Sequence, residues 1–194
     1  MNTIRTTLCA MAVSCALAAC HSGGGHHTVH GTDSAATQVK VPVSDTLAGQ
    51  VKGFLDAYYA LKDAFVKSDT ALADSAAGRL LEAAAGIHPE EFQADTARYR
   101  RTTAAVGGLG AEIAGLLGER TMLGKRQEFQ MISGITYELI KNTGMKNQTV
   151  YRDFCPMFNS GDGAFWLSDS AAIRNPYYGT DMPDCGQLSE TITF

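Results

Sequence analysis

Basic residues are in the minority here, 16 Lys and Arg against 20 Asp and Glu, and neither sign forms a long run. Nucleic-acid binding needs a basic patch or stripe, so it is not expected. No helix repeats a Glu-x-x-His pattern, which argues against a carboxylate di-metal bundle. No nucleophile, base and orienting group can be assembled from the available residues, so an enzyme is not expected. Gly108-Leu109-Gly110 has no strand before it and therefore does not read as a dinucleotide loop. The apolar run from Leu8 to Ala19 is too short and too weakly flanked to span a bilayer. What remains is a chain of 194 residues, 45% hydrophobic, with a formal charge of −4: enough for one ordinary domain with a real core, plus extras.

The extras are at the N-terminus. Residues 1–19 carry Arg5 and then the apolar run, the pattern of an export signal. Leu17-Ala18-Ala19-Cys20 resembles the lipobox of bacterial lipoproteins. That resemblance implies cleavage before Cys20 and lipidation of this residue; the plain alternative is an ordinary cut after Ala19 that leaves Cys20 free. Several acyl chains would anchor the protein stably. His21 in place of an aspartate favours the outer membrane, facing the periplasm, under the enterobacterial sorting rule. Of five cysteines, Cys9 and Cys15 leave with the signal and Cys20 takes lipid, so Cys155 and Cys185 act as a pair or not at all.

Residues 20–43 have the composition of a flexible tether, with Ser22-Gly23-Gly24-Gly25 and little to bury. His21, His26, His27 and His30 make it a weak secondary site for a metal held by imidazole, or a soluble spacer.

Residues 44–194 read as the domain, mainly α. Ser44 or Asp45 caps a helix whose Leu47, Val51, Phe54, Leu55, Tyr58, Leu61 and Phe65 recur at three- and four-residue steps. Ser68 or Asp69 caps a second, ending near Gly86. Pro89-Glu90-Glu91 suits the first turn of a third, with Leu109, Ile113, Leu116 and Leu117 among its apolar positions. The fourth runs from about Arg120 to Lys141 through Phe129, Ile132, Leu139 and Ile140. Short connections predict an up-down four-helix bundle. The Cys/Met motif region, residues 147–194, predicts a small, two-stranded, turn-rich β-cap: 148–154 and 188–194 alternate as strands, and Ser168 caps a short helical turn through Ile173.

Antiparallel pairing of those strands would bring Cys155 beside Cys185. With Met157 and Met182 they form a candidate soft-donor set, suited to Cu(I) or Ag(I), while two cysteines with outside ligands also suit Zn(II). The alternative is a disulfide between Cys155 and Cys185, stabilising by roughly 3–4 kcal/mol, with the methionines as packing residues.

Cys155-Pro156-Met157, Ala164-Phe165-Trp166-Leu167-Ser168, Ile173-Arg174-Asn175-Pro176-Tyr177-Tyr178-Gly179 and Met182-Pro183-Asp184-Cys185-Gly186 resemble motifs of an uncharacterised exported family, domain of unknown function thirty-three forty-seven. The resemblance runs from about Leu47 to Thr193 and takes in Tyr58, Leu61, Lys62, Arg126, Phe129 and Ser133. Members of the family are also fused to periplasmic adaptor subunits of heavy-metal efflux pumps of the copper/silver type. The resemblance therefore implies metal handling and a heavy-metal efflux system as partner. The reading is a lipid-anchored envelope protein that binds or delivers a soft metal, Cu(I), through Cys155, Met157, Met182 and Cys185. The alternative is a disulfide-stapled module that docks another envelope protein through its helices, without metal.

Overall fold

The computed structural model describes residues 36–38 and 42–194. The signal segment, Cys20 and the histidines His21, His26, His27 and His30 lie outside the described residues. Helix α1, Asp45–Val66, starts where the Ser44 hydroxyl accepts the Leu47 N–H, and Ser44 is itself held by the Glu91 carboxylate. Asp69 caps α2, Thr70–Ala85, by accepting the Leu72 N–H. Pro89-Glu90-Glu91 does not open the third helix. It forms a separate 3-10 turn, Pro89–Phe92, and α3, Thr96–Gly118, begins afresh where Asp95 accepts the Arg98 N–H. Thr121 caps α4, Met122–Thr143, and Gly144 ends it at φ 71°, a conformation that favours glycine.

Each helix packs on the next, and α1 also meets α4. Phe54, Leu61 and Phe65 of α1, Ala76 and Leu80 of α2, Leu109, Ile113 and Leu116 of α3, and Phe129, Ile132 and Leu139 of α4 are fully buried. Each large side chain so removed from water contributes about 1.5–3 kcal/mol. Leu117, on the apolar pattern of α3, is exposed instead. Lys125 is buried, with its ammonium 2.6 Å from Asp74 of α2 and 3.0 Å from the Leu116 carbonyl of α3. Removing Asp74 would leave the buried Lys125 ammonium uncompensated, so the pair ties three helices together. Among the described residues, no helix is long and apolar enough to cross a membrane.

The C-terminal sheet is larger than the two strands expected. Strands β2, Thr149–Cys155, and β4, Gln187–Thr193, pair antiparallel as the alternation predicts. Ala164–Ser168 adds an antiparallel β3 on the other side of β2. A short β1, Ala36–Gln38, inside the segment read as tether, pairs parallel with β4. The order is β1-β4-β2-β3. Ser168 ends β3 rather than capping a helix: its hydroxyl accepts the Ser170 N–H, closing a tight serine turn where the cap was predicted. The register between β2 and β4 steps once: Arg152 faces Glu190 but Asp153 faces Leu188, so β4 passes Ser189 at a bulge.

The sheet meets the bundle at its β3 edge. The Leu167 N–H donates to the hydroxyl of fully buried Tyr58 at 3.1 Å, and that hydroxyl lies 2.7 Å from Ser133 Oγ on α4. Rings of Phe65, Phe129, Tyr177 and Trp166 follow in contact, with centroid separations of 5.0, 5.9 and 6.0 Å. The helical core and the sheet core are therefore continuous.

Candidate metal centre

The segment between β3 and β4 carries two of the four sulfurs, and the bundle fixes where it lies. Arg126 of α4 donates from Nε to the Pro176 carbonyl and from Nη2 to the Phe65 carbonyl and Ser68 Oγ. Gly179 fits beneath this clamp at φ 55°; a Cβ there would lie 2.3 Å from Ser68 Oγ and 2.5 Å from Arg126 Nη2. Buried Asn175 then organises the turn from inside. Its side-chain oxygen accepts the Tyr177 and Tyr178 N–H groups, its amide donates to the Cys185 carbonyl at 2.6 Å, and its backbone N–H donates to the Pro183 carbonyl. The Tyr178 hydroxyl reaches across to the Met157 carbonyl at 3.0 Å. One turn thus holds the backbone on both sides of the sulfur site.

Of the four predicted donors, two meet. Cys185 Sγ and Met157 Sδ are 3.8 Å apart; Met157 is exposed and Cys185 half-buried. Met182 is half-buried in the same loop, and the Cys185 N–H donates to its carbonyl. Cys155 lies elsewhere: it is fully buried among the core residues. Both cysteines are free, and the disulfide reading is corrected accordingly. The register gives the reason. With Phe154 opposite Gln187, the next step sets Gly186 beside Cys155 and carries Cys185 one residue beyond. The Trp166 ring fills the place a side chain at 186 would take, since a Cβ there would lie 2.9 Å from its Cη2. Trp166 and Tyr177 are buried in the same core as Cys155, so the expected pocket of four clustered sulfurs beneath their rings is not formed. Among the described residues, no group of three or more His, Cys, Asp and Glu is placed to hold a metal ion.

The residue that sequence reasoning missed is Asp153. It is fully buried on β2, cross-strand from Trp166, and neither carboxylate oxygen has a hydrogen-bond partner; the Trp166 indole N–H is also unsatisfied. Burial pushes the Asp153 carboxyl up to about 7, and the Lys62 ammonium opposes this only partly. Lys62, itself buried, pairs with Asp63 at 3.1 Å and Asp169 at 3.7 Å instead. The signal in the sequence was a carboxylate with the same strand parity as buried Cys155.

The fold is thus a four-helix bundle with a small C-terminal sheet, bearing a surface thiol–thioether pair. The family described as a protein of unknown function (DUF3347) matches residues 54–148, which take in most of the helical part of this chain. The match includes Tyr58, Lys62, Arg126, Phe129 and Ser133 and stops before β2, so the Cys/Met motif lies beyond it. No curated protein and no solved structure matches the chain.

Proposed function

We propose that this is a lipid-anchored envelope protein that binds and delivers a soft metal ion, Cu(I), rather than converting a substrate. The observation that carries the reading is the Cys185–Met157 pair, a thiol and a thioether 3.8 Å apart at the surface. Soft donors of this kind select Cu(I) or Ag(I) over hard cations, with Zn(II) a weaker fit for a single thiolate. With metal–sulfur bonds near about 2.3 Å, that separation corresponds to a sulfur–metal–sulfur angle of about 110°. A bent pair leaves room for a third donor, which we assign to Met182 in the same loop. The anchor is Cys20, on the lipobox resemblance. A heavy-metal efflux system is the partner that the family resemblance suggests.

Anaerobic titration of the reduced protein against a Cu(I) chelator tests this. One copper should bind tightly, Cys185→Ser should abolish tight uptake, and Met157→Leu and Met182→Leu should each weaken it. Thiolate is the charged, stronger donor, which sets that order. Cys155→Ser, in the core, should leave copper affinity unchanged, as should deletion of residues 22–30. Copper held by Cys185→Ser as tightly as by wild type would overturn the metal reading and favour a metal-free docking module.

A further inference from the structure

A cavity of about 580 Å³ opens between α4 and the β2–β3 hairpin. Its size is that of a small-molecule pocket, typically about 300–1,000 Å³. One wall is α4, where Met131 is exposed and Gly134 leaves a gap; the other is the aromatic pair Phe154 and Phe165, with ring centroids 4.6 Å apart. Between them stands Arg152. Its guanidinium carbon lies 3.8 Å from the Phe165 ring centroid and 4.1 Å from that of Tyr137.

Ring contacts hold the guanidinium through its faces and leave its N–H groups at the edge. No hydrogen bond or ion pair joins Arg152 to another described side chain or carbonyl. Its cross-strand neighbour Glu190 accepts the Tyr137 hydroxyl at 2.8 Å instead. A fixed, planar fork of donors facing a largely apolar cavity is suited to a carboxylate, which it can bind through two parallel hydrogen bonds. Asp162 also lines the cavity and disfavours a second negative charge on the occupant.

We propose that this cavity binds a small organic monocarboxylate, its acid group on Arg152 and its apolar body against Phe154, Phe165 and Met131. The site is separate from the sulfur pair and does not depend on the metal reading.

The probes are 2-naphthoate and its uncharged counterpart 2-naphthamide, titrated by calorimetry against the full chain. Naphthoate should bind at least about tenfold more tightly, the expected advantage of a charge-assisted bidentate contact. Arg152→Gln should erase that preference. Gly134→Leu provides a second arm that does not touch the charge. A Cβ at Gly134 meets nothing within 4 Å, and leucine is the better helix former, so this variant should hold or raise Tm while blocking both probes. Equal binding of acid and amide, no binding of naphthoate to wild type, or undiminished binding to Gly134→Leu each overturns the proposal.

Discussion

The Tyr58 hydroxyl and the Leu167 backbone N–H, 109 residues apart in the chain, meet at 3.1 Å inside the protein. One phenol therefore satisfies the outer edge of β3 and bridges α1 to Ser133 of α4. Ser133 also donates to the Phe129 carbonyl, so it keeps a partner without Tyr58, whereas the Leu167 N–H does not. Tyr58→Phe should cost about 1–3 kcal/mol, the penalty for stranding a buried donor. Urea denaturation measures the loss, and amide exchange at Leu167 should accelerate in parallel. Unchanged midpoint and protection would show that the sheet docks without this bond.

The buried Asp153 predicts a stability that falls with rising pH. Its carboxyl moves from an ordinary 3.8 to about 7 on folding. Well below about pH 4 both states are protonated and the group adds no pH-dependent cost. Between about pH 4 and 7 the folded protein keeps a proton that the unfolded chain has lost, so stability drops as pH rises. Above about pH 7 the penalty is complete, on the order of 4 kcal/mol. Asp153→Asn should therefore match wild type near pH 4 and exceed it at pH 8. Denaturation curves at both values check this, and equal stability at pH 8 would contradict it.

Gly179→Ala should destabilise by roughly 2–4 kcal/mol, through positive φ and overpacking together. The added carbon meets Ser68, Arg126 and the Phe65 carbonyl, which are tied together by the Arg126 hydrogen bonds. Because this clamp positions the turn that carries Cys185, copper affinity should fall as well, although no sulfur is altered. A Tm within about 1 °C of wild type would count against the clamp.

Cys20→Ser tests the anchor. The variant should leave the membrane pellet for the soluble fraction and lose incorporation of labelled fatty acid. A variant that still pellets with membranes sinks the lipidation proposal.

Much of the helical part was legible because its signals are local. Ser44 and Asp69 announce their helices, and the spacing of Phe54, Tyr58, Leu61 and Phe65 marks the buried face. The false start at Pro89 has a local cause too: its acidic turn looks like a helix start, but Asp95 holds the better cap. Strand β3 escaped notice because Trp166 and Leu167 are both buried, so the segment shows no period-two alternation. Of the site, the pairing of β2 with β4 was readable, and the facing of the sulfurs was not. That depends on a register step and on where one indole ring lies, and neither leaves a local mark.

The step past Ser189 makes β4 a gauge of length as much as of composition. Ile192 and Leu188 have the same numerical parity, yet Ile192 sits level with Val150 and Leu188 with Asp153, positions of opposite parity on β2. Substituting Ser189 leaves that arithmetic intact. Deleting it would draw the incoming loop along by one residue, about 3.4 Å, nearly the whole distance that now separates Cys185 from Met157. The number of residues between Ile192 and Cys185, as much as their identity, therefore sets where Cys185 lies relative to Met157.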